Sequence, residues 1–338
     1  MDLLVKLLSL IESDADFTAE MAGLLVEFFA DKEVSLHLKA ALTAAWKLRG
    51  ERSEDLFQIA SYIRQKKLKQ PSLATGIADC CGTGGDQSDS FNISTATALV
   101  ASSLGVSIAK HGGRKTTSTS GSVDFLEALG ISTIAEPERI EKALSTHNLV
   151  FIASPALQNL LVDWKQVCRK LSFHGQTGLI GTLTNPLRLD YQLLGVSRPE
   201  WGHILVEVLR KQGLKRAAVV HSAQSFDELT TVGTNQVWFW DGTKISDYTF
   251  EPEDYGLQRA YPAQLKGGTP HINAQIFERL IDAQDQDLQP LRETIALNAG
   301  FLLWIAEKAD SPGISIKLAL DALQSGKVRN LYTKIKKN

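Results

Sequence analysis

Apolar positions recur at helical spacing through residues 1–70: Leu3, Leu4, Leu7 and Leu8, then Met21, Leu24, Leu25 and Phe28, then Leu42, Ala45 and Trp46, then Leu56, Ile59 and Ile63. Steps of three and four residues gather each set on one face, so the pattern predicts four amphipathic helices. Ser53 ahead of Glu54 and Asp55 suits a helix start, with a hydroxyl to cap free N–H groups and acids at the positive end of the dipole. The basic, polar stretch 66–71 reads as a linker.

From residue 76 the period changes. Short β-rich runs at 77–81, 106–109, 149–152 and 217–220 alternate with helical segments, which argues for βαβ units and a largely parallel sheet. The runs 236–240 and 244–250 flank Asp241-Gly242 and form a hairpin candidate. Helical spacing returns at 273–285, 290–309 and 314–325. The expected fold class is α/β: a small helical N-terminal domain over 1–70 ahead of a larger α/β domain over 71–338 with a central, mostly parallel sheet.

Composition narrows the function. A chain of 338 residues, 43% hydrophobic and 22% charged, has room for one large core and a smaller one. The formal net charge of −2 offers no general attraction for nucleic acid or an acidic membrane, and the cluster Lys334, Lys336 and Lys337 reads as a solvated tail. The opening MDLLVKLLSLIESDAD is broken by Lys6 and followed by acids without a cleavage site, so it reads as a packing helix. No window reaches the roughly 18 apolar residues of a membrane span. Cys80, Cys81 and Cys168 are odd in number and lack metal-ligand spacing, which suits a reducing cytoplasm.

Two stretches carry candidate chemistry. In ADCCGTGGDQSDSFNIST at 78–95, Gly82, Gly84 and Gly85 let backbone approach a ligand and aim several N–H groups at one point, which suits phosphate oxygens. Asn92, Ser94 and Thr95 follow at the start of the next helix, where free N–H groups also favour an anion. A tight turn with a helix cap accounts for this stretch equally well. In KHGGRKTTSTSGS at 110–122, three cations, six hydroxyls and three glycines follow a second strand, furniture suited to a polyanion. Asp227 and Glu228 lie beyond the run 217–220. Adjacent loop carboxylates are ordinarily just solvated, yet beside a diphosphate they are suitable oxygen ligands for magnesium. Neither the dinucleotide pattern G-x-G-x-x-G nor a P-loop is present, so the three loops together point to a magnesium-bound diphosphate ester.

GTGGD at 82–86, NIST at 92–95, KHGGR and SGSVDFLEALG within 110–130, LTNP at 183–186, DEL at 227–229, PEDYGL at 252–257, LKGG at 265–268 and LNAG at 297–300 resemble the anthranilate phosphoribosyltransferase family, in order and in register. The resemblance implies a helical domain joined by a segment near 155–185, dimerisation through the helical part, and transfer of phosphoribosyl from phosphoribosyl diphosphate to the amine of anthranilate in tryptophan synthesis. Carried over by position, Gly82, Gly85, Asp86, Ser90, Asn92, Ile93, Ser94, Thr95, Lys110, Gly112, Arg114, Thr117, Ser118 and Ser122 hold phosphoribosyl diphosphate. Ser94, Asp227 and Glu228 hold two magnesium ions, and His111 orients the acceptor.

The acceptor side departs from the family. Gly113 stands where the family has an asparagine that touches anthranilate. Cys168 stands where it has the arginine that pairs with the carboxylate, and His174 begins a stretch where it reads R-T-x-F-N. Gly82, Gly113, Cys168 and its neighbour Arg169 are thus the acceptor-side candidates, with His174 and Lys165 as weaker alternatives for the missing cation, although Cys168 reads more simply as a small core residue. A relative with a different amine acceptor, a nucleoside phosphorylase, which has no need of Asp227 and Glu228, and a non-catalytic relative that binds nucleic acid or a protein remain open alternatives.

Overall fold

The computed structural model describes residues 2–66, 68, 75–114, 119–153, 155–173, 176–282 and 285–336. Four helices open the chain as expected: α1 (Asp2–Glu12), α2 (Ala19–Ala30), α3 (Leu36–Arg49) and α4 (Ser53–Lys66). Thr18 and Ser35 cap α2 and α3 by accepting from Met21 and Leu38 backbone N–H groups. At α4 the expected cap is displaced. Ser53 is already helical, and Asp55 is buried, accepting from Phe17 N at 2.8 Å and pairing with Arg49 at 3.0 Å, so this acid ties elements together. Apart from Lys66 and Leu68, the linker expected over 66–71 lies outside the described residues.

The alternating part follows: β1 (Ile77–Gly82), α5 (Ile93–Ser103), β2 (Ser107–His111), α6 (Ser122–Ala128), α7 (Pro137–His147), β3 (Leu149–Ile152), α8 (Pro155–Lys170), α9 (Gln176–Thr182), β4 (Tyr191–Gly195), α10 (Gly202–Lys211), β5 (Arg216–Ser222), β6 (Asn235–Trp240), β7 (Ile245–Phe250), α11 (Pro270–Ile281), α12 (Gln289–Ile305), α13 (Pro312–Gln324) and α14 (Lys327–Lys336). The sheet has the order β3-β2-β1-β4-β5-β6-β7. The first five strands are parallel, and the β6–β7 hairpin adds an antiparallel edge.

Successive strand residues face opposite sides. Ala78, Cys80, Leu193, Ala218 and Val220 pack with α5, α12 and α13 in one core, whereas Ile77, Leu194, Ala217 and Val219 join α4, α9 and α10 in another. The second core also holds the N-terminal helices. There Trp164 of α8 stacks on Phe29 of α2 with centroids 4.4 Å apart, and buried Lys39 of α3 reaches Asp163 at 2.6 Å. Of the C-terminal basic stretch, exposed Lys334 and Lys336 sit on a packed helix and not on a loose tail, and Lys337 lies outside the described residues. Val328 and Tyr332 of α14 are buried, and Lys336 pairs with Glu278 at 3.2 Å, because the helix presents an apolar face between its lysines. No helix among the described residues is long and apolar enough to cross a membrane.

Candidate active site

Parallel strands β2, β1, β4 and β5 all end on one edge, so the loops after β1, β2 and β5 meet there. In the first loop Gly84 and Gly85 take φ of 68° and 85°, and Gln87 and Asp89 are also left-handed, at 56° and 50°. A non-glycine residue held there costs on the order of 1 kcal/mol or more, so the surroundings must impose it. They do: Ser90 bridges Lys266, Phe91 N donates to Leu265 O, and Gly267 N donates to Asp89 O, both at 2.9 Å. Asn273 completes the frame by accepting from Gly268 N at 2.7 Å and donating to Asn92 Oδ1 at 2.8 Å, while Asn92 donates to Ser120 O at 3.3 Å. The LKGG stretch is therefore the outer rail of the glycine loop.

Gly82 and Gly195 lie opposite each other in the β1–β4 ladder. A Cβ on Gly82 would come within 2.2 Å of Asp227 Oδ2, and one on Gly195 within 1.6 Å of Asp227 O. The two bare positions let the third loop settle onto the strand ends. Asp227 Oδ2 then accepts from Gly84 N at 2.6 Å, and Glu228 Oε1 from Ser94 N, near the start of α5, at 3.1 Å. Asn298 of α12 clamps the same loop, accepting from Leu229 N at 3.1 Å and donating to Leu229 O at 2.7 Å. Ile93 is wholly buried, so only its backbone faces the site, and the Thr95 hydroxyl is buried without a partner. Lys110 is buried beneath the loops, donating to Cys80 O at 2.5 Å and to Ser94 Oγ at 3.1 Å.

Burial, and next the neighbouring Asp86, push the Asp227 carboxyl up to about 8. Burial with Asp227 and Asp86 holds Glu228 well above the usual carboxylate range, and its Oε2 is buried with no partner. Asp86 itself accepts from Ser88 Oγ at 2.6 Å. A bound cation would relieve this crowding. Among the described residues no three His, Cys, Asp or Glu side chains converge on one point. The protein thus offers a partial oxygen shell of the sort magnesium completes with water and phosphate oxygens. A pH dependence follows. Unfolded, Asp227 loses its proton near pH 4, whereas folded without metal it holds it to about pH 8. Stability from this group is full below about pH 4 and declines as pH rises to about 8. Melting temperatures across that range should fall in the metal-free protein and fall less with magnesium, and an equal slope with and without the ion would contradict this.

At the end of β2, His111 is half-buried. Burial, then the charges of Lys110 and Lys165, outweigh a hydrogen bond to the Gly181 backbone and lower its imidazole to about 4. Neutral at pH 7, it can give or take a hydrogen bond but is a poor proton store. Gly112 sits tight against Ser122, the first residue of α6, with 2.9 Å from a would-be Cβ to the serine Cβ, whereas a Cβ on Gly113 meets nothing within 4 Å among the described residues. Arg114 is exposed and engaged by Asp124 at 3.0 Å and Glu127 at 2.9 Å. Thr117 and Ser118 lie outside the described residues, as does His174.

The acceptor candidates divide. Cys168 is in the apolar core with its thiol pushed up to about 12 by burial, and Arg169 is exposed. A hundred degrees of helix turn separates neighbours on α8, so the arginine cannot occupy its neighbour's direction. Gly178 of α9 presses against Thr83, since a Cβ there would stand 1.8 Å from its carbonyl oxygen. Sequence reasoning missed Asn298, Asn273 and Gly195 as parts of the site. The available signal for Asn298 was a lone amide inside the apolar run of α12.

Residues 74–329 match the family described as glycosyl transferase family, a/b domain. An anthranilate phosphoribosyltransferase of Desulfitobacterium hafniense is 35% identical over 329 residues, 97% of each chain, and one of Prochlorococcus marinus is 35% identical over 338 residues, covering 99% of this chain and 97% of its own. The crystal structure of the Thermus thermophilus anthranilate phosphoribosyltransferase superposes with a TM-score of 0.88 at 33% identity, covering 100% of this chain and 99% of that one. The Saccharomyces cerevisiae enzyme, solved with PRPP and Mg, shares the fold at a TM-score of 0.84 and 19% identity, over 94% and 91% of the two chains.

Proposed function

The chain belongs to the glycosyl transferase family that includes the anthranilate phosphoribosyltransferases, and from that footing we propose that it transfers phosphoribosyl from phosphoribosyl diphosphate to the amino nitrogen of anthranilate, a step of tryptophan synthesis. The observation that carries this reading is the pair Asp227 and Glu228 laid across the N–H groups of Gly84 and Ser94. Those bonds fix both carboxylates beside the glycine loop and the start of α5, where they would take the metal of a diphosphate held there.

Gly82, Gly85, Asp86, Ser90, Asn92, Ser94, Thr95, Lys110, Gly112, Arg114, Thr117, Ser118 and Ser122, with the Ile93 backbone, bind the donor in this reading. Ser94 Oγ, Asp227 and Glu228 hold magnesium. The bound ion supplies neutralisation of the departing diphosphate's charge. Lys110, fixed below Ser94, adds positive potential in a dry site where it counts most. An aryl amine needs little activation, so the chain contributes mainly by holding it in line with the ribose carbon. Neutral His111 orients the amine by hydrogen bonding. Exposed apolar Val5, Leu38, Leu48 and Val162 on α1, α3 and α8 support a homodimer formed through the helical part.

The test is loss of anthranilate fluorescence on adding phosphoribosyl diphosphate and magnesium, with calorimetric titration of the diphosphate alongside. Turnover that requires both is expected. Diphosphate binding without turnover would favour a different amine acceptor, the reading that Gly113 and the core position of Cys168 would then support. No binding of phosphoribosyl diphosphate would overturn the assignment.

A further inference from the structure

An acceptor that carries a carboxylate brings a negative charge to a cleft whose floor already holds Asp86, Asp227 and Glu228. A carboxylate entering such a place binds well only if a cation receives it. Among the described residues, several cations near the site are already committed or exposed. Lys110 donates to Cys80 O and Ser94 Oγ. Arg114 is bound by Asp124 and Glu127 on the outer side of α6. Arg169 and Lys170 are exposed at the end of α8.

Lys165 differs from all of these. It lies on α8 four residues after Leu161 and three before Cys168, both buried, and is itself half-buried. Positions so spaced share one helix face, so its stem runs along the apolar rim of the core. No carboxylate pairs with it among the described residues, and burial alone pulls its ammonium below the ordinary lysine range. Its charge reaches the His111 ring, which is hydrogen-bonded to the backbone of Gly181 on the adjoining helix α9. Among the described residues, a Cβ on either Gly113 or Gly181 meets nothing within 4 Å. A half-buried lysine with no carboxylate partner among the described residues and a neutral imidazole within reach of its charge thus stand beside two glycines, an arrangement suited to a negatively charged occupant.

We propose that Lys165 is the specificity-determining cation that receives the acceptor's carboxylate, beside His111, which faces the amine. The assignment rests on the acceptor reading above and replaces Arg169 as the partner. A lysine ammonium is a compact charge without the two-pronged geometry of a guanidinium, so it fixes the carboxylate's position less strictly than an arginine would.

The experiment compares anthranilate with 2-aminobenzamide, its uncharged carboxamide, as acceptors for the wild type, Lys165→Met and Lys165→Arg, at saturating phosphoribosyl diphosphate and magnesium. The wild type is expected to favour the acid by about tenfold or more in kcat/KM, as a charge-assisted contact would give. Lys165→Met should erase that preference by raising the KM for anthranilate alone, with the amide's constants and the diphosphate's affinity unchanged, and Lys165→Arg should retain it. A methionine variant that keeps the preference overturns the proposal and leaves the transferase reading standing. A wild type that binds the diphosphate but uses neither acceptor overturns the anthranilate reading and this assignment with it. Loss of both acceptors in the methionine variant, with the arginine variant equally impaired, marks a structural role and also overturns it.

Discussion

The double variant Asp227→Asn, Glu228→Gln should lose magnesium-dependent turnover by about a thousandfold or more, because metal stabilisation of the transition state supplies several kcal/mol and each 1.36 kcal/mol is a factor of ten. The substitutions keep shape and remove charge. Each amide keeps an oxygen that can accept from Gly84 N and Ser94 N, so the loop retains its place. Burial first, and then the crowding of Asp86, Asp227 and Glu228, raises both carboxyls, and neutral amides are spared both penalties. The metal-free variant should therefore melt no lower than the wild type at pH 8 while being nearly inactive. Initial rates against magnesium concentration, with melting curves for both proteins, check the pair of outcomes. Full magnesium-dependent turnover would show that these residues do not hold the ion.

Gly195→Ala should do comparable damage by a different route. The added methyl would stand 1.6 Å from Asp227 O and 2.3 Å from its carbonyl carbon. Backbone atoms cannot rotate away as a side-chain tip can, so the Phe226–Leu229 turn must lift off the strand ends. That movement pulls Asp227 from Gly84 N and strains the two bonds between Leu229 and Asn298. Overpacking costs about 1–3 kcal/mol and each buried polar group left unpaired about as much, so a loss of roughly 3–5 kcal/mol is expected. At about 1–2 °C per kcal/mol for a chain of this size, melting should fall by roughly 5 °C. Turnover should drop at least a hundredfold even at temperatures where the variant is folded. Gly113→Ala is the control: its Cβ meets nothing within 4 Å, and melting should be unchanged. An alanine at 195 with wild-type melting and activity would mean that the turn does not rest on the strands as described.

Most of the candidate site could be proposed from the sequence because its chemistry is local. The glycine loop, the hydroxyls of α5 and the Asp227-Glu228 pair each declare themselves within a few residues, and turn and strand chemistry placed them at strand ends. The hairpin was equally plain, with Asp241 accepting from Thr243 N at 2.7 Å and Gly242 at φ 99°. β4 was not. Its five residues carry buried Gln192, which donates to Thr182 O at 2.9 Å, and a polar residue inside so short a run hides the strand from any periodicity. The partner of Gln192 comes from another helix, so no local window contains the reason for its burial. The same holds for Lys110, which reads as a loop cation in the sequence and proves to be a buried post under Ser94.

The sequence by itself determined the helical opening, the alternation of strands and helices, and the loops that carry donors and carboxylates. Those follow from spacing and from side-chain chemistry read over a turn or two. Tertiary structure alone decided that Gly82 and Gly195 stand opposite each other to make room for Asp227. It also decided that Asn298 and Asn273 brace loops from distant helices, and that half-buried Lys165 brings its charge to His111. Each of these depends on a contact between elements far apart in the chain, where burial and steric exclusion act on pairs that no stretch of sequence displays together.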